Sequence, residues 1–290
     1  MKSLKRISTG LIITYLVVFI LSQIVSGCFS FQMSPKEVQK AFADLPYKPT
    51  EHDLDVDDRT IHHVCIGNKA LPVAFFVHGS PGSWSAFVDF FKDSTLLKHV
   101  QMVSVDRPGF GNSGLGNGEK SLERQAFYLR PLVQQYKKKD QKLILIGHSL
   151  GGPLIARMAM DYPELIDGLV FVAPSIAPNL EPNEWYRPLG DFFVFKYLLP
   201  DWLRASNREI LYLKPDLEKM LPLWKTIRQP CIVIQGGKDV LVHPANADFA
   251  KKMLVNAQSL QLVIEPEMNH FVPWSNPDLI QTAILKMVRH

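Results

Sequence analysis

The ten residues 143–152, LILIGHSLGG, join a run of four aliphatic side chains to a serine set among small residues. The aliphatic run is typical of a strand that is buried on both faces of a sheet. Gly-x-Ser-x-Gly after such a strand predicts a tight turn into a helix, in which Gly147 and Gly151 leave room where side chains would collide. Ser149 is therefore expected to project from the turn. Its hydroxyl becomes a useful nucleophile only if a base removes the proton, so a base is expected elsewhere in the chain.

Short apolar runs alternate with helical periods along most of the chain. Runs rich in Val, Ile, Leu and Phe predict strands at residues 73–77, 100–105, 143–146, 169–172, 232–234 and 260–264. Helices are predicted at residues 84–97, 121–136, 150–160, 245–255 and 278–288. This alternation indicates an α/β fold with a mostly parallel central sheet flanked by helices. Residues 52–66 instead predict an antiparallel edge hairpin turning at Asp57 and Asp58, with His62 and His63 as surface strand residues.

Two polar side chains follow later strands in a way that suits nucleophilic catalysis. Asp239 lies just past the strand predicted in CIVIQGGKDVLV, residues 231–242. Functional groups of open parallel sheets collect at this end of the strands. His270 follows the last predicted strand, in LVIEPEMNHF at residues 262–271. The candidates therefore occur in the order Ser149, Asp239, His270, each after its own strand.

A third motif, FFVHGSPGS at residues 75–83, places His-Gly-Ser-Pro directly after a strand. Together with GHSLGG and the chain order of the candidates, it resembles the α/β-hydrolase family from about Thr50 to the end of the chain. The resemblance implies that the backbone amides of Ser80 and Leu150 form an oxyanion hole, whose fixed dipoles stabilise a developing negative oxygen. His78 is expected to be a structural hydrogen-bonding residue rather than a base.

The same resemblance implies acyl transfer by a serine hydrolase. His270 would take the proton of Ser149, and Asp239 would fix the tautomer of the imidazole and stabilise its charged form. Water would then hydrolyse a covalent acyl-enzyme, and carboxylic esters with apolar groups are the favoured small-molecule substrates. Amides, thioesters, lactones and carbon–carbon bonds are alternatives, as are a cofactor-free perhydrolase and a non-catalytic binding protein. Relatives that open epoxides carry aspartate at the nucleophile position, so the serine disfavours that reaction.

The segment 175–228 contains no strand pattern, and aromatic residues recur in it among prolines and charges. This pattern predicts a helical cap inserted after the sixth strand. Phe271 and Trp274, close in sequence to His270, are predicted to contact substrate. The full division of the chain is a signal peptide at 1–27, an N-terminal lead or linker at 28–49, a core at 50–174 and 229–290, and the cap at 175–228.

The first 28 residues have the layout of a secretory signal. Basic residues precede an apolar run at 11–21, and small residues follow it. Val25 to Cys28 resembles the lipobox of bacterial lipoproteins, which implies cleavage before Cys28 and lipid attachment to its sulfur and amine. Phe29 after the cysteine favours the outer membrane within the cell envelope. A retained apolar anchor is the alternative, although polar Ser22 and Gln23 interrupt the run.

Charge and motif patterns exclude several other classes of function. Removal of residues 1–27 lowers the formal net charge from +4 to +1, so no nucleic-acid partner is expected. GFGNSG at residues 109–114 matches the spelling of a dinucleotide-binding motif, but no helix is predicted to begin there, so no nucleotide cofactor is expected. No metal is expected either, because no set of ligand residues has the usual spacing. Asp106 and Arg107 before it are interpreted as structural anchors of a turn. Cys65 and Cys231 are predicted to be separate thiols.

Overall fold

The computed structural model describes residues 2–28, 31–193 and 195–289. Its strands are β1 Thr50–Val56, β2 Arg59–Ile66, β3 Val73–Val77, β4 Gln101–Val105, β5 Leu143–His148, β6 Gly168–Val172, β7 Cys231–Gly236 and β8 Leu260–Glu265. They form one sheet in the order β1-β2-β4-β3-β5-β6-β7-β8. The β1–β2 and β2–β4 pairs are antiparallel and all other pairs are parallel. The predicted α/β class, mostly parallel sheet and edge hairpin are therefore confirmed.

Helices cover both faces of the sheet. Their bounds are α1 Lys2–Cys28, α2 Pro35–Ala41, α3 Val88–Phe91, α4 Ser94–Leu97, α5 Leu122–Tyr136, α6 Gly151–Asp161, α7 Arg187–Asp191, α8 Asp201–Met220, α9 Asn246–Met253, α10 Val272–Ser275 and α11 Pro277–Arg289. Leu143 and Leu145 belong to the half of the core that includes α5, α6 and α9, whereas Ile144 and Ile146 belong to the half that includes α2, α3 and α11. Successive strand residues point to opposite faces, so a strand covered on both sides needs an unbroken aliphatic run.

The predicted helix at residues 84–97 is wrong as a single element. The segment forms a 3-10 turn at Trp84–Phe87, then α3, and then α4. The break comes at Asp93, whose carboxylate accepts the amides of Thr95 and Leu96 at 2.7 and 2.9 Å. A side chain that caps a new helix in this way competes with continuation of the preceding one.

The segment between β6 and β7 is helical, as predicted for a cap after the sixth strand. It contains α7 and α8 with 3-10 turns at Pro178–Leu180, Lys196–Leu198 and Leu221–Thr226. The end of α8 packs into the core through Leu213, Leu217 and Met220. The part around α7 instead exposes several aromatic side chains. The cap is therefore anchored to the core at its C-terminal end.

Residues 31–49, expected to form a polar lead, are part of the packed structure. Ser34 begins α2 with a capping box, in which its hydroxyl accepts the Glu37 amide and the Glu37 carboxylate accepts the Ser34 amide. Val38 and Phe42, four residues apart, bury on the same face against the core, and Phe42 is only 1% exposed. Scattered apolar positions among prolines and charged residues are a weak sequence pattern, which is why the packing was not predicted.

The predicted signal segment forms the single helix α1. Several of its apolar side chains, including Ile12, Leu16 and Ile20, are exposed. Among the helices that the described residues form, none has the combined length and apolar character needed to cross a membrane. The side chain of Cys28 lies outside the described part of the structure, so its lipid attachment stays a prediction.

Cys65 and Cys231 are separate thiols, as predicted. Cys65 belongs to β2 and Cys231 to β7, and four strands lie between these two in the sheet. Strands are spaced by about 4.8 Å, so the two cysteines are about 24 Å apart along the sheet. A disulfide needs Cα atoms within about 7 Å, and the two therefore cannot pair.

The expectation that His62 and His63 lie on the surface is wrong. Both are buried, and His63 is only 1% exposed, because side chains of β1 and the Tyr136 ring of α5 pack against them. The His62 ring lies 2.8 Å from a carboxylate oxygen of Asp53, and the His63 ring lies 3.1 Å from the Tyr136 hydroxyl. Burial, with nearby His52 and His62, lowers the pKa of His63 from 6.5 to about 4.

This burial predicts a specific pH dependence of stability. Below pH 6.5 the unfolded chain protonates His63, while the folded chain does not until about pH 4. The unfolded state then binds more protons, so the free energy of unfolding should fall as the pH drops through this window. His63→Gln should reduce the number of protons taken up on unfolding by about one, which is obtained from the slope of the unfolding free energy against pH in urea unfolding between about pH 7 and pH 5. His243→Gln, at an exposed histidine, is the matched control, and an unchanged slope in His63→Gln would contradict the prediction.

Candidate active site

Ser149 lies in a tight turn between β5 and α6. Its φ is +54°, a left-handed conformation that non-glycine residues rarely adopt. The Ser149 amide donates to the carbonyl of Val172 at 2.9 Å, and its carbonyl accepts the amides of Gly152 and Ser175 at 2.9 and 3.3 Å. A Cβ atom at Gly147 would overlap the carbonyl of Gly151, so the turn closes only with glycine there. Such strained residues persist where surrounding contacts hold them, and they often occur at functional sites.

Asp239 and His270 meet at the same edge of the sheet. The Nδ1 atom of His270 donates to Oδ2 of Asp239 at 2.7 Å, and the Asp239 side chain is fully buried. The other carboxylate oxygen accepts the amides of Leu241 and Val242 at 2.9 and 2.8 Å. Burial alone would raise the pKa of Asp239, but the bond from His270 and these amides outweigh it and hold the pKa below its ordinary value. The carboxylate therefore stays ionised and fixes the imidazole.

His148 is a second histidine at the site, which the sequence did not single out. Its Nε2 atom donates to the backbone carbonyl of His270 at 3.0 Å, and the two ring centroids are 4.9 Å apart. Burial, together with the charge of His270, lowers the pKa of His148 to about 3. A neutral His148 thus holds the loop that carries His270. Its position inside Gly-x-Ser-x-Gly, directly before Ser149, is the signal that could have revealed it.

The loop after β3 lies against Ser149. A Cβ atom at Gly79 would come within 2.8 Å of the Ser149 Cβ, so only glycine allows this approach. His78 is buried beneath the loop, donates from Nδ1 to the Gly79 carbonyl at 2.6 Å, and accepts the Arg107 amide at Nε2 at 3.0 Å. Burial and the Arg107 charge hold the pKa of His78 well below its usual range. His78 thus makes the structural hydrogen bonds expected of it.

Arg107 connects this loop to the cap. Its buried guanidinium donates to the carbonyls of His78 and Gly79 at 2.9 and 2.8 Å. It also forms a bidentate pair with Glu209 of α8 at 2.6 and 2.9 Å, and it donates to Gln125 at 2.9 Å. A planar guanidinium suits this arrangement because it can donate in several directions at once. The turn anchor expected at Arg107 therefore also binds the cap, and the sequence did not identify Glu209 as its partner.

The neighbouring residues reinforce both connections. The Ser80 hydroxyl donates to that of Ser206 in α8 at 2.9 Å, which is a second link from the loop to the cap. The Asp106 carboxylate accepts the amides of Trp84 and Asn112 at 2.6 and 2.8 Å, as expected for a turn anchor. Burial raises the pKa of Asp106 to about 6. The loop beside Ser149 is thus held from below by Arg107 and from above by α8.

A cavity of about 650 Å³ collects the predicted site residues. Its walls include Ser149, His270, Ser80, Phe271 and Trp274, which all lie at the carboxyl edge of the sheet or on the loops above it. Leu150 and Asp239 do not line it, since Leu150 is buried at the start of α6 and Asp239 lies behind His270. The cavity is open and more apolar than polar, which suits a substrate with apolar groups.

The N-terminal segment supplies another wall of this cavity. Phe31, Gln32, Met33 and Glu37 line it. Ser83 donates to the Phe31 carbonyl at 2.7 Å, and the Met33 amide donates to the Ser85 hydroxyl, which fixes the segment beside the His-Gly-Ser-Pro loop. No motif marks these residues, so the sequence did not place them at the site.

Other parts of the described structure lack comparable chemistry. A second cavity of about 690 Å³ lies near the amino ends of β5 to β8, between residues such as Lys142, Asp167, Arg228 and Ser259. It is at the opposite edge of the sheet from Ser149. Among the described residues, no group of three or more His, Cys, Asp or Glu side chains could hold a metal ion.

Comparisons with known proteins identify the family of the chain. The sequence model of the alpha/beta hydrolase family matches residues 74–281. The chain is 25% identical to Epoxide hydrolase 4 of Homo sapiens over 77% of this chain and 74% of that protein. It is 22% identical to Lipase 1 of Psychrobacter immobilis over 75% of this chain and 80% of that protein. The fold is similar to the crystal structure of a membrane phospholipase A, with a TM-score of 0.65, 18% identity and 100% coverage of both chains. The chain belongs to the α/β-hydrolase family.

The Arg107–Glu209 pair should be important for stability. Glu209→Leu would leave the buried guanidinium without its carboxylate and should lower the free energy of unfolding by about 3–5 kcal/mol in urea denaturation. Replacing both partners, in Arg107→Met with Glu209→Leu, should recover only part of this loss, because no buried charge remains but the carbonyls of His78 and Gly79 lose a donor. Asp89→Ala removes the exposed ion pair with Lys92 and should change stability by less than about 1 kcal/mol. Equal effects of Glu209→Leu and Asp89→Ala would show that the buried pair is unimportant.

Proposed function

We propose that the protein is a serine hydrolase that cleaves carboxylic esters with apolar groups through a covalent acyl-enzyme. The observation that carries this proposal is the 2.7 Å hydrogen bond from His270 to Asp239, with His270 and Ser149 on the wall of one cavity. Ser149 is the nucleophile, His270 the general base and acid, and Asp239 the orienting residue. Each comes from a different strand end, so their meeting is a property of the fold.

The hydrogen-bond pattern supports the role of His270. Because Nδ1 carries the proton donated to Asp239, Nε2 is the acceptor that can take the Ser149 proton. The buried carboxylate then stabilises the imidazolium as Ser149 Oγ bonds to the acyl carbon. The same proton passes to the leaving alcohol, and a water molecule activated by His270 later releases the acid.

The backbone amides of Ser80 and Leu150 are assigned to the oxyanion hole. The loop that carries Ser80 lies directly against Ser149, as the close approach of Gly79 shows, and Leu150 begins α6. Among the described residues, no atom accepts a hydrogen bond from either amide. The lack of a competing acceptor supports the assignment, and loss of one such donor typically costs about 3 kcal/mol of transition-state stabilisation.

The walls of the cavity favour esters with apolar groups. Phe31, Leu241, Phe271 and Trp274 line the cavity, and each of these side chains is substantially exposed to it or to solvent. We assign Phe271 and Trp274 to substrate binding, since the Phe271 ring lies 6.0 Å from that of His270 and the Trp274 ring lies 5.7 Å from that of His148. The similarity to a lipase supports the same substrate class. The similarity to an epoxide hydrolase does not carry over, because serine occupies the nucleophile position in this chain.

We also propose that the protein is exported to the cell envelope and attached to a membrane by lipid on Cys28. The basic, apolar and small-residue sequence of the first 28 positions supports this assignment. Cys28 is separated by only two residues from Phe31, where the packed part of the chain begins. The attachment point would therefore be close to the active-site cavity.

A fluorophosphonate probe tests the proposed reaction. The wild-type protein should form a covalent adduct at Ser149, and Ser149→Ala should not be labelled, because the probe reacts with an activated serine. Hydrolysis of p-nitrophenyl butyrate should fall by about a million-fold in Ser149→Ala. Ser175→Ala, which changes a nearby serine outside the proposed triad, should retain labelling. Absence of labelling in a folded wild-type protein would favour a binding protein over an enzyme.

The lipid attachment is tested separately. Cys28→Ala should yield a soluble or unprocessed protein, because the thiol that accepts lipid is absent, and the ester hydrolysis of the mature part should be preserved. Cell fractionation and intact-protein mass measure the location and the processing of the chain. A Cys28→Ala protein that remains membrane-bound at full mature length would show that another element anchors it.

A further inference from the structure

The cap exposes an unusual number of large apolar side chains around α7. We define the cap face as the residues of this region whose apolar side chains are about half exposed or more: Trp185, Tyr186, Leu189, Phe192, Phe193, Phe195 and Tyr197. Trp185 is 77% exposed and Phe193 is 67% exposed. Single exposed apolar residues are ordinary, but a contiguous group of this size marks a surface that meets a partner.

Several members of the cap face contact one another. The Phe192 ring lies 4.9 Å from that of Phe193 and 6.0 Å from that of Phe195. Lys196 places its ammonium 4.8 Å from the centre of the Tyr197 ring. Aromatic rings beside basic side chains are the composition found where proteins sit at the boundary of a bilayer, with rings among the headgroups and cations beside lipid phosphates.

The cap face is continuous with the N-terminal attachment of the chain. Helix α1, several of whose described apolar side chains are exposed, contacts the turn Lys196–Leu198, which includes Tyr197 of the cap face. The Phe31 ring lies 5.1 Å from that of Trp202 at the start of α8, and Phe31 also lines the active-site cavity. Three residues span at most about 11 Å, so α1 or a lipid on Cys28 would attach to the core within that distance of Phe31.

We propose that the cap face docks on a lipid bilayer and that the substrate of Ser149 is an acyl ester of a membrane lipid. Phe31 joins the N-terminal attachment to the cavity wall and to Trp202, which follows the cap face in the chain, and this would place the cavity entrance beside the bilayer surface. The identity of the substrate rests on the proposed ester hydrolysis, whereas the docking does not. Ser149 Oγ attacks the acyl carbon, the lipid alcohol leaves with the proton from His270, and water then releases the fatty acid.

Fluorescence quenching tests the docking directly. The full chain is placed in vesicles of phosphatidylglycerol and phosphatidylethanolamine that contain brominated acyl chains, which quench tryptophan at the bilayer. Trp185→Phe should remove a quenched component of the emission, because Trp185 is expected to lie among the lipids. The emission of Trp185 is the difference between wild type and Trp185→Phe. If this difference is the same in vesicles with brominated and with ordinary lipids, the cap face does not contact the bilayer and the proposal is overturned.

Turnover tests the consequence for substrate. Phe192→Ser with Phe193→Ser should reduce hydrolysis of a phospholipid in these vesicles by at least about ten-fold, while hydrolysis of soluble p-nitrophenyl acetate stays within about two-fold of wild type. Val255→Ser with Ile264→Ser is the matched control, since these exposed apolar residues lie outside the cap and do not line the cavity. The control should change neither rate. The N-terminal attachment is present in all variants. A loss of phospholipid hydrolysis without a loss of soluble-ester hydrolysis is therefore an effect of the cap face.

The outcomes separate this inference from the proposed function. Quenching of Trp185 without hydrolysis of any ester supports the docking and overturns the proposed reaction. A second outcome is that the soluble ester is hydrolysed and that wild type and the Phe192→Ser, Phe193→Ser variant hydrolyse the vesicle phospholipid equally fast. This result overturns the proposed route of the lipid substrate and leaves the proposed ester hydrolysis standing. The alternative partner of the cap face is a second copy of the chain. If Trp185 is not quenched, and if wild type sediments as a dimer that the Phe192→Ser, Phe193→Ser variant does not form, the cap face is a dimer interface and the bilayer proposal is overturned.

Discussion

The turn at Ser149 is the constraint on which the rest of the site depends. Ser149 has left-handed backbone geometry, and its amide and carbonyl are bonded to the end of β6, to α6 and to Ser175. The strand that carries it, β5, lies between β3 and β6 and is buried on both faces. Moving this strand would disturb both halves of the core, so the backbone position of Ser149 is fixed. A nucleophile needs such a rigid mount because its geometry toward base and substrate must be kept within a fraction of an ångström.

The other site residues reach Ser149 because parallel strands end at one edge. β3 leads into Gly79, β4 into Arg107, β7 into Asp239 and β8 into His270. Buried polar groups then hold these loops together. Most of the hydrogen bonds of these groups are made to other protein atoms. His78 and His148 are kept neutral by burial, so each can donate from one nitrogen and contribute no positive charge near His270. The network therefore orients the loops around Ser149 and adds no positive charge beside His270.

The sequence predicted the elements whose signals are local. The aliphatic run of β5, the small residues at the turn and the strand–helix alternation all follow from periodicity, and the structure confirms the fold class. The predictions failed where a nonlocal or competing interaction decides. Asp93 caps a new helix inside the apolar segment 84–97, and the hairpin histidines are buried because side chains of β1 and α5 pack against them. The predicted lead became a cavity wall since Phe31 and Met33 bind to serines about fifty residues later.

The sequence by itself determined the class of fold, the turn that presents Ser149, and the chain order of Ser149, Asp239 and His270, because each depends on residue types within one strand and the loop after it. Only the tertiary structure decided that Asp239 and His270 share a hydrogen bond, that His148 supports the His270 loop, and that Arg107 is paired with Glu209, 102 residues away. The physical reason is that such contacts join segments from different strands and the cap. Their partners are selected by packing geometry, which local patterns of polarity do not record.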